Sequence, residues 1–163
     1  MGLLRRHPVP DAVKAVSLPR GERRVAWALT AAGQPVVATE QSLVLPGGEV
    51  LAWGSVERVS WKRPLLLVVR AAEVEGTGAR DSLTLEGDGD LPGVVYARVT
   101  GSVAWTRHER LAPTGGVRIV GRRQPGRDDL AWQLVFDVGT DRSDPLVRAQ
   151  AEQALLAARR AIG

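Results

Sequence analysis

The sequence predicts an α+β domain: an antiparallel β-barrel or curled sheet of about seven strands, closed by a C-terminal amphipathic helix over 145–162. Three observations predict it. From Arg24 onward, short runs rich in Val, Leu and Trp are broken by turn residues at intervals of roughly eight to twelve, the spacing of antiparallel β structure. Residues 117–123 and 130–138 read as a hairpin, and in its second arm Leu130, Trp132, Leu134 and Phe136 alternate with Ala131, Gln133 and Val135. The chain then ends on one stretch of clear helical periodicity.

Taken in order, residues 1–20 hold three prolines and no sustained period, and read as an N-terminal arm with one helical turn around 11–16. The domain proper is then 21–163. Val25, Trp27 and Leu29 share one face of the first strand, and Gly33-Gln34 turns it into 36–39. Residues 43–45 return through Pro46-Gly47-Gly48 to 50–53, which makes a meander. Residues 65–72 are a continuous apolar run, as in a strand covered on both faces. After a loop with Gly76 and Gly78, Leu83 and Leu85 point one way and Ser82, Thr84 and Glu86 the other. The stretch 91–105 reads two ways. Val95, Val99 and Val103 have helical spacing, yet its β-branched residues favour a strand, and a short helix after Pro92 running into a strand near Ser102 reconciles the two. In the last element Asp144 is a natural N-cap, Pro145 stands at N1, and Val147, Ala151, Ala154, Leu155, Ala158 and Ile162 form an apolar stripe.

The 163 residues suit one domain that needs no covalent staple. The lack of cysteine excludes disulfides and thiolate metal sites and suits a reducing compartment, so the expected location is the cytoplasm; two histidines leave little for a transition metal. No stretch approaches the roughly eighteen apolar residues of a membrane span, and Met1–Pro10 lacks a signal-peptide core. The net charge of +4 is unevenly placed. Residues 107–127 carry six arginines against Glu109, whereas 73–90 carry Glu73, Glu75, Asp81, Glu86, Asp88 and Asp90 against Arg80, so the molecule should be dipolar.

The segment Leu18-Pro-Arg-Gly-Glu-Arg-Arg-Val-Ala-Trp27, the following Val36-Val-Ala-Thr39, Leu43 and Leu45, and the tryptophan-marked Leu51-Ala-Trp53 with Val56, Val59 and Trp61 resemble the opening of bacterial pleckstrin-homology-like domains. Asp141-Arg-Ser-Asp-Pro145 and the closing helix are similar to an uncharacterised actinobacterial family of such domains. The resemblance spans 18–163 and implies two strand-rich halves followed by one helix. Its motifs are packing and turn residues, so it assigns no functional residue.

Among candidate sites, Arg107, Arg110, Arg118, Arg122, Arg123 and Arg127 form the expected binding surface, with Arg118 and Arg122 projecting from one strand face as a phosphate-competent pair. A charged strand edge that resists aggregation has the same composition. His108 and Glu109 face opposite ways on a strand and cannot act on one proton together. Asp137, Asp141 and Asp144 offer oxygen ligands, but not at EF-hand spacing. Glu86, Asp88 and Asp90 alternate with glycines as in an acidic turn. Of the five tryptophans, Trp27 and Trp132 read as core, while Trp53 and Trp61 read as partly exposed. With no catalytic set, cofactor motif or metal set, the expected role is non-enzymatic: an interaction module for a protein or peptide partner, with nucleic acid or anionic lipid on the arginine face as the alternative and a small-molecule enzyme third; an unpaired strand also leaves room for a homodimer.

Overall fold

A computed structural model describes residues 7–71, 78–87 and 89–162. Among the described residues, ten strands form three separate antiparallel sheets with three α-helices, rather than one curled sheet of about seven strands, and their ladders do not close into a barrel. The first sheet is a meander of β1 (Arg24–Leu29), β2 (Pro35–Thr39), β3 (Ser42–Val44) and β4 (Val50–Ala52). The second is β5 (Val56–Lys62), β6 (Leu65–Arg70) and β7 (Arg80–Thr84), and the third places β9 (Gly116–Arg123) between β8 (Val103–Arg110) and β10 (Leu130–Phe136). The β3–β4 turn works because Gly47 and Gly48 both take φ of 92°, a backbone region closed to most side chains.

The first two sheets meet at a corner. An isolated Thr30–Leu85 bridge joins the end of β1 to the end of β7, and Arg70 donates from Nε to Asp81 at 2.8 Å and through Nη1 and Nη2 to Glu49 at 2.5 and 2.8 Å. That fork ties the β3–β4 turn to β6 and β7. Hydrogen bonding to Arg70 holds the Glu49 carboxyl below its usual value. A depressed carboxylate contributes stability above its unfolded value, near pH 4.3, which is lost as pH falls through the folded one. Acid unfolding of wild type beside Glu49→Gln should therefore show a shallower fall below about pH 4 in the variant; parallel curves would contradict a stabilising Glu49–Arg70 pair.

Leu43, Val36, Leu66 and Val68 of the two sheets pack with Leu91, Val95 and Val99 of α2 (Leu91–Gly101) in the main core. The ambiguous stretch is thus helix to Gly101 and strand from Val103. Its β-branched and glycine-containing sequence is a weak helix former. The buried positions at i, i+4 and i+8 hold it in place.

The C-terminal helix does not close the main core, contrary to expectation. α3 (Pro145–Ile162) covers only the third sheet, where Val147 and Ala151 meet Leu111, Val117, Leu134 and Phe136. The main core is covered by α2 because its stripe carries Leu and Val of the right bulk, whereas the Ala-rich α3 suits close contact with β9 and β10. Leu146 N donates to Asp144 Oδ1 at 2.8 Å, the cap read from the sequence.

The arm is docked. α1 (Asp11–Lys14) packs Val13 against Val37 and Val44, with Val9, Val16, Leu18, Trp27 and Leu29 around them. Trp27 and Leu29 therefore face this small cluster, while Ala26 and Ala28 face the main core. Trp53 departs from expectation: it is 3 % exposed, and its Nε1 donates to the Thr39 carbonyl at 3.2 Å. β6 is covered on both faces only in part: Leu66 and Val68 enter the main core and Val69 on the other face is buried, but Leu65 is exposed. Of the acidic stretch, Glu73, Glu75 and Asp88 lie outside the described residues.

Candidate functional site

The third sheet distributes the six arginines by strand alternation. From Trp105 onward in β8, and throughout β9, odd-numbered residues lie on the α3 side of the sheet and even-numbered ones on the other. Arg118 and Arg122 share the second face as expected, but Arg122 is only 5 % exposed and cannot serve as a surface ligand. Its Nε donates to Gln133 Oε1 at 3.0 Å, Nη1 to the Val99 carbonyl at 2.7 Å and Ser102 Oγ at 2.9 Å, and Nη2 to the Glu57 carbonyl at 2.7 Å. One guanidinium thus caps the C-terminus of α2 and joins β9, β10 and β5. A cation at that end also meets the negative pole of the helix. Burial pulls the pKa of Arg122 down and the nearby Glu57 charge opposes this, yet an arginine stays protonated. Gln133 extends the junction, donating from Nε2 to the Gly54 carbonyl at 2.9 Å.

The other arginines separate into three places. Arg107, on the α3 side, is paired with Glu109 at 2.6 Å. Arg110 and Arg118 stand exposed at the outer end of the opposite face. Arg123 and Arg127 reach the tip of the β9–β10 hairpin and line an open cleft of about 900 Å³. Its walls are α2, through Val94, Ala97 and Arg98, and the hairpin turn from Arg123 to Leu130; Val25, Glu40 and Trp53 complete it. Arg127 forks onto Asp129 at 2.7 and 2.9 Å, which holds that carboxyl below its usual value. Among the described residues Arg98, Arg123 and Asp128 have no ion-pair partner. Two free cations, a free carboxylate and apolar surface from Val25 and Val94 therefore share one opening.

Comparison with family models, curated proteins and solved structures finds no match to this chain.

A second polar corner lies where β8, β9 and the end of β10 meet. His108 Nε2 bonds Asp137 Oδ2 at 2.7 Å, so the partner of this histidine is Asp137 and not its neighbour Glu109. The pair lies over Gly116, where a Cβ would come within 2.4 Å of the Asp137 oxygen and 2.7 Å of the His108 nitrogen. Thr140 Oγ1 accepts from Gly116 N at 3.1 Å and donates to its carbonyl at 3.2 Å. The hydroxyl is thus engaged with the main chain rather than with the imidazole. Asp137, Asp141 and Asp144 do not converge: they bond His108, Ser143 and the start of α3 respectively, and no group of three metal-ligating side chains gathers among the described residues. Among those residues no helix is long and apolar enough to cross a membrane.

Arg98 and Asp128 were not legible as site residues. Arg98 lies in the stretch whose helical state was open, and Asp128 reaches the cleft only because the hairpin turn folds toward α2.

Proposed function

We propose that the chain is a non-enzymatic interaction module whose cleft receives a segment of another polypeptide. The observation that carries this reading is the mixed lining of the opening: Arg98 and Arg123 beside Asp128 and Glu40, with Val25 and Val94 between them. A polypeptide supplies both charge signs and apolar side chains in register with such a surface, whereas a polyphosphate would meet the carboxylates unfavourably. The alternative, an arginine face for nucleic acid or anionic lipid, would require the six arginines to act together. Arg122 is buried, and Arg107 and Arg127 are paired within the chain, so that reading retains less support.

The module's core is pleckstrin-homology-like in this proposal. What supports it is the order of a four-strand meander, a three-strand sheet and a helix within 24–101; the third sheet and α3 are then an addition, whose β9–β10 hairpin forms the far wall of the cleft. The cytoplasm as its compartment belongs to the same proposal and rests on the cysteine-free sequence.

The test places a photo-crosslinking amino acid at Ala97 in the cleft and, separately, at Glu152 on α3, in cells of the native host. A polypeptide adduct formed from position 97, absent from 152 and lost in Arg98→Glu/Arg123→Glu, is the expected result. A nucleic-acid or lipid adduct at 97, or the same polypeptide captured equally from 152, would overturn the reading.

A further inference from the structure

We propose that β8 is a self-association edge: two copies of the chain join their β8 strands antiparallel about a two-fold axis at His108, giving one continuous sheet with three strands from each copy.

Leu111 N donates to the Gly115 carbonyl, which sets the phase of the β8–β9 ladder, so residues 105, 107, 109 and 111 bond inward to β9. Thr106, His108 and Arg110 consequently turn their N–H and C=O groups outward. On the other side of β9, Asp137 N bonds the Gly116 carbonyl, so the even residues of β9 serve β10 and the alternation is consistent across the sheet. No strand among the described residues pairs with the outer side of β8, and α3 lies over β9 and β10 instead. The irregularity between Val103 and Trp105 ends the regular edge at one end, leaving 105–110 as its straight part.

Charge then selects the occupant and the register. Outward residues must pair with outward residues, so a slip by one is excluded and the allowed registers differ by whole steps. With His108 opposite His108, Thr106 faces Arg110, and Arg107 of each copy faces the partner's Glu109 on the α3 side, twice by symmetry. The two intrachain Arg107–Glu109 pairs, each 2.6 Å, thus join in one four-charge cluster of alternating sign across the axis. The next register in one direction opposes Arg107 to Arg107, and the next in the other direction opposes Glu109 to Glu109, and like charges directly opposed across strands are destabilising. The edge is therefore complementary to itself in one register and repulsive in both neighbours. Arginines on an edge commonly keep other strands away. Here Glu109, between Arg107 and Arg110 in sequence, converts that protection into selectivity for a second copy.

The lack of cysteine makes the test direct. Directly opposed residues of a hydrogen-bonded pair stand about 5.5 Å apart at Cα, within disulfide range. Oxidised His108→Cys should run as a covalent dimer on a non-reducing gel. Thr106→Cys and Arg110→Cys should each stay largely monomeric alone, and the double variant Thr106→Cys/Arg110→Cys should link. Sedimentation of the unmodified protein should show a dimer whose dissociation constant rises about tenfold or more in Arg107→Glu or Glu109→Arg, and returns in the exchange Arg107→Glu/Glu109→Arg. All of these side chains are on the surface edge, so circular dichroism should report an unchanged fold. A monomer at roughly 100 µM protein, Thr106→Cys linking to itself as readily as His108→Cys, or an exchange variant no better than the single reversals would each overturn the proposal.

Discussion

Arg122→Ala is expected to destabilise the chain by about 3 to 5 kcal/mol and to lower its unfolding midpoint by about 10 °C. The substitution removes the donors of four hydrogen bonds and opens a void beside the carbonyls of Val99 and Glu57, Ser102 Oγ and Gln133 Oε1; the Val99 carbonyl keeps the Ser102 hydroxyl at 2.7 Å, whereas Gln133 Oε1 loses its donor. Hydrogen bonds from a charged donor contribute more than neutral ones, and a buried acceptor left without a partner bears the full desolvation cost. Lysine would not restore the site, since a single ammonium cannot reproduce the spread of Nε, Nη1 and Nη2. Arg118→Ala, on the same face but exposed, serves as the control and should fall within about 0.5 kcal/mol of wild type. Denaturant unfolding of the three proteins decides the matter: an Arg122→Ala loss below about 1 kcal/mol would mean that the guanidinium does not hold α2, β5 and the third sheet together.

Leu91→Ala is expected to cost about 2 to 5 kcal/mol. Leu91 is fully buried at the first turn of α2, against side chains from both of the first two sheets, and truncation leaves a cavity that the surrounding strands cannot collapse into. The comparison is Leu146→Ala on α3, where the side chain is 68 % exposed and the change should stay within about 0.5 kcal/mol. If Leu91→Ala unfolded no more easily than Leu146→Ala in thermal melts, α2 would not be the element that covers the main core.

Much of the strand pattern was legible because turn chemistry and alternation are local. The β9–β10 hairpin, Leu83 and Leu85 pointing inward and the Asp144 cap all depend on neighbours within a few residues. What was not legible depends on which surfaces meet across long separations. The strong amphipathic pattern of 145–162 made it look like the closing helix, yet amphipathicity reports a face to bury and not the sheet that buries it. The segment 91–101, weak by propensity, holds the more central position because Leu91, Val95 and Val99 fit the gap left by two sheets. Arg122 illustrates the same limit at the site. Its position in an arginine-rich strand suggested a surface group, and nothing nearby in sequence revealed that Glu57, Val99 and Gln133 would supply acceptors around it. Arg98 and Arg123 share a cleft only because that junction sets α2 beside the hairpin.

The placement of the tryptophans gives the molecule an internal set of optical labels. Trp105 and Trp132 lie edge to face with ring centroids 5.6 Å apart beside Gly121, the small residue that leaves room for them, so their transitions couple and report on the third sheet alone. Trp53 is buried in the main core at the edge of the cleft, and Trp27 packs against the residues around Val13. Emission colour and near-ultraviolet dichroism therefore read different parts of one chain, and loosening of its regions can be followed separately without any added dye.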